Sequence, residues 1–154
     1  MLEIKCIYTG KLKQEFARQG CTHYRKGIDR FFPLQETEIK DSSSRDVKQK
    51  IACEGRDILS RVTSRDFLIL LSEHGKEMST REFASALSAW LEMPGKIPCF
   101  LLPGPYGPSI KLKQKSDLVL SLSPMTFPHE LARVMLLEQI FRAAAIIRNF
   151  PYHN

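Results

Sequence analysis

The chain has 154 residues, of which 43% are hydrophobic and 26% charged. These are the proportions of one soluble globular domain, and they exclude a disordered, collagen-like or membrane-spanning chain. Lys plus Arg exceeds Asp plus Glu by 23 to 17, a net charge of +6, which points weakly toward a nucleic-acid or phosphate partner. The excess is +3 in residues 1–77 and +3 in residues 78–154, so a basic patch has to be assembled by the fold.

Leu2 to Tyr8 is short, apolar and β-rich, and Thr9-Gly10 ends it. Lys11 to Arg30 reads as a surface helix weakened by Gly20 and Gly27. Phe31 to Ile39 reads as a second strand, with Pro33 placing it near a sheet edge. Ser42-Ser43-Ser44 is a loop, and Asp46 opens a helix through Val47, Ile51, Ile58 and Leu59. Phe67 to Leu71 is unbroken and apolar, the mark of a strand covered on both faces. His74-Gly75-Lys76 is its following loop.

Ser79-Thr80-Arg81-Glu82 is a capping box, and its helix runs to Leu91 before Pro94-Gly95. Cys99 to Leu102 is a fourth strand, residues 103–108 form a dense Gly/Pro turn, and Leu118 to Leu122 is a fifth strand. The last helix, from Pro128 to Asn149, has 13 apolar residues among the 17 from Leu131 to Ile147. They go almost all round it, so it must be buried on more than one side. With the sheet on one side, a second copy of the chain is the expected cover for the other, a homodimer.

The sum is one α/β domain over residues 1–154, a mostly parallel five-stranded sheet with helices on both faces. Ligands in such sheets bind beyond the carboxyl ends of the strands. Three loops qualify: the one after Leu71, the turn at 103–108, and Ser123 to Phe127. No dinucleotide, Walker or nucleophile-elbow motif is present. The prolines of the 103–108 turn remove backbone donors, which argues against a phosphate cradle. Cys6, Cys21, Cys53 and Cys99 lack metal-ligand spacing, so no metal is expected, and they read as reduced thiols of a cytoplasmic protein. No targeting segment is read at Met1 to Lys5, and no membrane association is expected.

The end of the chain is more specific. Leu120-Ser121-Leu122-Ser123-Pro124-Met125-Thr126-Phe127-Pro128-His129 is followed by Arg133, Glu138-Gln139, Phe141-Arg142-Ala143 and Pro151-Tyr152-His153. This closely resembles the RlmH family of SPOUT methyltransferases, over a similar total length. The resemblance is strongest from Leu118 to His153, moderate at Leu71, Gly75-Lys76 and Gly104 to Gly107, and weak before Asp66.

It implies a trefoil α/β knot, a homodimer, S-adenosyl-L-methionine as cofactor, and N3-methylation of a pseudouridine in 23S rRNA on the assembled ribosome. It implies cofactor binding by Leu71, Pro103, Gly104, Leu122, Ser123, Pro124, Met125, Thr126, Phe127 and Pro128. His129, Arg142, Tyr152 and His153 are the implied catalytic residues, and Arg133 with Arg142 the implied RNA contacts. The tail is implied to reach the site near the dimer partner.

Two departures stand out. The family's Asp-x-x-Gly-Lys is Ser72-Glu73-His74-Gly75-Lys76 here, and Pro103 replaces the first of a Gly-Gly pair. Both leave open a weakened cofactor site, or an acid supplied by Glu73. A base for the weakly acidic N3 proton could be His129, His153 or Glu138. Arg142 lies four residues after Glu138, the spacing of an ordinary helix ion pair. A side chain added at Gly104 is expected to fill the cofactor slot while leaving the fold intact. Two other functions stay open: a SPOUT-fold ribosome-binding protein with weakened catalysis, and an enzyme of small phosphorylated metabolites.

Overall fold

The computed structural model describes residues 2–152. Strands β1 (Ile4–Thr9), β2 (Leu34–Ile39), β3 (Asp66–Glu77), β4 (Ile97–Leu102) and β5 (Leu118–Ser121) form one sheet in the order β2-β1-β4-β3-β5. Every pairing is parallel, so the sheet is wholly rather than mostly parallel. β2 is an edge strand, as expected, but it starts at Leu34 rather than Phe31, and Pro33 just before it accepts from the Ile4 N–H through its carbonyl. The central strands are apolar on both faces because helices cover both.

Helices α1 (Glu15–Asp29), α3 (Thr80–Glu92) and α5 (His129–Ile147) pack over one face, around Tyr8, Phe100 and Leu120. Helices α2 (Val47–Ser60) and α4 (Ile110–Lys115) cover a smaller core of Ile7, Leu70 and Leu101 on the other. The capping box of α3 is closed by both of its bonds, Glu82 N–H to Ser79 Oγ at 3.1 Å and Ser79 N–H to Glu82 Oε2 at 2.7 Å. Asp46 caps α2 by accepting from the Lys48 N–H. The α4 turn escapes the sequence reading because Ile-Lys-Leu-Lys-Gln-Lys alternates like a strand and is very short. Its signal is Ser109, which accepts from the Leu112 N–H as an N-cap.

The apolar circumference of α5 has an explanation within one chain. α1 and α3 flank it above the sheet. Phe141 packs against Tyr24, Phe31 and Tyr152. Gly20 and Gly27, which weaken α1 on propensity, are the contact points. A Cβ on Gly27 would stand 2.7 Å from the Phe141 ring, and one on Gly20 3.0 Å from Val134. The apolar pattern of α5 therefore does not by itself require a second copy.

β3 extends past Leu71 into the segment expected as loop. Leu120 is registered against both Leu71 and Lys76, with a break between them. The register shifts there, residues 72–75 standing as extra residues on β3 between its two pairings with Leu120. Gly75 lies against the β5 backbone there: a Cβ would meet the Val119 carbonyl at 2.7 Å.

Candidate active site

The three loops singled out in the sequence converge beyond the ends of β3, β4 and β5, where a cavity of about 410 Å³ opens. That volume lies within the range of small-molecule sites, roughly 300–1,000 Å³. Leu71, Pro103, Gly104, Leu122, Ser123, Met125, Thr126 and Phe127 line it. Pro124 and Pro128 are exposed in the same β5–α5 loop and do not line the cavity. Ser72, Glu73 and His74 form another wall, and His129 and Ala132 contribute from the first turn of α5.

Each loop is held by its own bonds. Gly107 N–H donates to the Gly104 carbonyl and closes the turn at 104–107. Ser123 Oγ accepts from the Met125 N–H at 3.0 Å. The Thr126 hydroxyl donates to Glu73 Oε2, joining the β3 and β5 loops. Ser121 Oγ donates to the Glu73 carbonyl at 3.2 Å. Glu73, at the departure from the family motif, therefore works as a link between two cavity walls.

Gly104 offers the cavity backbone, for its missing side chain would point into the protein. A Cβ there would stand 2.7 Å from Glu54 Oε1 and 3.4 Å from Thr9 Cγ2. This corrects the expectation that a side chain would fill the slot and spare the fold. Glu54 is itself buried and accepts from the Ser42 N–H.

Arg133, expected at RNA, is turned inward and only 4% exposed. It donates to Glu38 Oε2 and to the Gly10 carbonyl, both at 2.7 Å, and stacks 4.1 Å from the centre of the Tyr8 ring. Its guanidinium is thus committed to closing α5 onto the ends of β1 and β2. A polar residue on the buried side of an apolar helix was the sign of an internal partner.

Arg142 and Tyr152 stand together near the other end of α5. Arg142 Nε donates to Glu138 Oε1 at 2.9 Å, and its guanidinium lies 4.9 Å from the Tyr152 ring centre. The hydrogen bond to Glu138 raises the Arg142 pKa, and burial next to Glu138 raises that of Tyr152. Arg142 is 13 residues beyond His129, roughly 20 Å along a helix. In one chain the cavity and this cluster are separate places. His153 lies outside the described residues.

Three of the four cysteines are buried and all are free. Burial raises their pKa, to about 11 for Cys21 and about 12 for Cys99. No group of metal-ligating side chains occurs among the described residues, and no helix there is long and apolar enough to cross a membrane.

A parallel α/β sheet with a cavity of mixed apolar and polar walls beyond its carboxyl ends is the frame of an enzyme that binds a small molecule at its strand ends. The family model described as "Predicted SPOUT methyltransferase" matches residues 2–153. The chain belongs to the SPOUT methyltransferase family. It is 44% identical to the Ribosomal RNA large subunit methyltransferase H of Maridesulfovibrio salexigens, over 100% of this chain and 99% of that one. It is 41% identical to the protein of the same name from Lawsonia intracellularis, over 98% and 97%. Among solved structures, a probable methylase family protein from Haemophilus influenzae Rd KW20 shares the fold, with a TM-score of 0.54 at 15% identity over 97% of this chain and 68% of that one.

Proposed function

We propose that the protein transfers a methyl group from S-adenosyl-L-methionine to N3 of a pseudouridine in 23S rRNA, acting on the assembled ribosome in the cytoplasm. The observation that carries this is the cavity. Its walls come from the loops after β3, β4 and β5, and they unite eight of the ten residues that the resemblance assigns to the cofactor. The chemistry of the walls fits that molecule. Apolar side chains from Leu71, Leu122 and Phe127 suit an adenine, and the Gly104 turn presents backbone that can read its edge. Bound there, the cofactor would supply an electrophilic methyl on a sulfonium.

The remaining task of the chain is to orient and to exclude water. Well-oriented reactants have effective molarities of roughly 10⁵–10⁸ M, so positioning can supply most of the rate. His129, at the cavity wall on the first residue of α5, is the imidazole we assign to the N3 proton.

A homodimer belongs to the same proposal. Arg142 and Tyr152 are too far along α5 to serve the cavity of their own chain, so a second copy must bring them if they touch the substrate. The threaded knot that the family implies belongs to the same reading. In the free state Arg142 is held by Glu138, and a base entering the site would compete for it.

Titration calorimetry with S-adenosyl-L-methionine, followed by radiolabelled methyl transfer to ribosomes lacking the modification, tests the reading. Cofactor heat and label in 23S rRNA are expected. Ribosome binding without cofactor heat would instead identify a SPOUT-fold RNA-binding protein.

A further inference from the structure

The fold assembles a basic surface that is invisible along the sequence. Residues 40–66 and 103–117 build the α2–α4 layer and its loops. They hold ten of the 23 basic residues and six of the 17 acidic ones, and so four of the six excess positive charges. Several of those acids are committed internally. Asp66 is buried on Lys5 and the Thr63 N–H, Glu54 is buried on the Ser42 N–H, and Asp117 accepts from the Leu68 N–H. Lys50 pairs with Glu54, but most of the cations remain free. Lys48, Arg56, Arg61, Lys111, Lys113 and Lys115 are all exposed, and none forms an ion pair among the described residues. On the opposite layer, Arg18, Arg25, Arg133 and Arg142 are each paired with a carboxylate.

The same layer leads to the cavity. α4 packs on α2, with Gly55 against Ser109, and Lys113 lines the cavity wall. Tyr106 at the mouth is 58% exposed, Ile110 beside it 75%, and Met125 on the facing loop 72%. Unpaired cations beside exposed apolar and aromatic groups suit a strand of RNA whose phosphates are gripped while an unstacked base enters a pocket.

We infer that the α2–α4 layer is the surface that docks rRNA, through phosphate contacts from Arg56, Arg61, Lys111 and Lys115, with Tyr106 guiding the target base at the mouth. This rests on the proposed methyl transfer but is tested without it. The binding of a labelled 23S rRNA fragment, and of large ribosomal subunits, is measured against salt concentration in the absence of cofactor. Replacing all four cations by Gln should reduce the slope of log affinity against log salt by about 3, since each phosphate contact contributes about 0.7–0.9. Affinity near 0.1 M salt should fall at least tenfold.

The double variant Lys111→Gln/Lys115→Gln, on the exposed side of α4, should carry about half of the slope change, and thermal melting shows that it is folded. Replacing Lys11, Lys13, Lys26 and Arg81 by Gln removes equal charge from the opposite layer and should change the slope by less than about 1. If the α2–α4 variants keep the parental slope, or the opposite-layer variant loses as much, the inference is overturned. A parent that shows this RNA pattern yet takes up no S-adenosyl-L-methionine would sink the methyl-transfer reading and leave the docking surface standing.

Discussion

A side chain on Gly104 would be driven into Glu54 and Thr9, both buried beneath the loop. Gly104→Val is therefore expected to lower stability by roughly 1–3 kcal/mol, the range for overpacking, and to displace the cavity turn as well. Chemical denaturation checks this, and a variant with parental stability would contradict it. The cysteines give a second test at this scale. Their raised pKa values leave Cys21 and Cys99 almost wholly protonated at pH 8, and burial adds a barrier to access. Half-buried Cys53 should react with iodoacetamide in the native protein while Cys6, Cys21 and Cys99 react only after unfolding. Peptide mapping of the labelled chain reads the outcome. Single residues were the least legible level of the sequence. Leu71, Gly104 and Leu122 to Phe127 could be placed at a cavity from strand ends and resemblance. That Arg133 is spent on Glu38, and that Gly104 is constrained from below, depends on neighbours 95 and 50 positions away.

Among the elements, α1 illustrates how a local weakness is compensated from afar. Its N-cap Gln14 makes no side-chain cap bond. Glu130 at the start of α5 instead anchors the chain where it enters α1, taking the N–H groups of Lys13 at 2.6 Å and Gln14 at 3.0 Å. These backbone bonds favour the charged carboxylate and lower its pKa below the ordinary 4.5. Its folded pKa being depressed, the contribution is complete above about pH 4.5 and is lost as pH falls through the folded value. Glu130→Gln should cost about 1–2 kcal/mol at pH 7, the order of hydrogen bonds to a charged group, and the difference from the parent should shrink in acid. Urea titrations at pH 7 and pH 3 measure it, and a gap that widens in acid would refute the assignment. All five strands were legible in place, β1, β4, β5 and the first part of β3 as short apolar runs, while β2 is mostly polar and the extension of β3 beyond Leu71 read as loop. The helices with explicit caps at Asp46 and Ser79 were equally plain. α1 was blurred by glycines whose reason is the packing against Val134 and Phe141 on α5. α4 was missed because six alternating residues carry too little periodicity to separate turn from strand.

For the whole molecule, the separation within α5 sets the strongest demand. The cavity is at its amino end and the Arg142–Tyr152 cluster near its carboxyl end. The tail is no loose end up to Tyr152, whose ring packs 4.4 Å from that of Phe141. Replacing Phe141 or Ile140 by a charged residue would therefore break the chain's own core before it reported on a dimer. Complementation between protomers is the cleaner test. One variant, Ser72→Trp, narrows the cavity from the β3 loop and keeps the tail. The other lacks Pro151 to Asn154 and keeps the cavity. Each homodimer should bind ribosomes and transfer almost no methyl group. If each site joins one protomer's cavity to the other's tail, half of a randomly mixed population is heterodimeric, and each heterodimer has one intact site of two. Unfolding and refolding the variants together at equal amounts should then restore about a quarter of parental methyl transfer per dimer, by the symmetry of a two-fold assembly. Mixing without refolding should restore far less. A refolded mixture as inactive as its components, with heterodimers shown by differential tags, would mean that each cavity is served by its own chain, and a tail-less homodimer that keeps parental activity would mean that the tail has no part in the reaction.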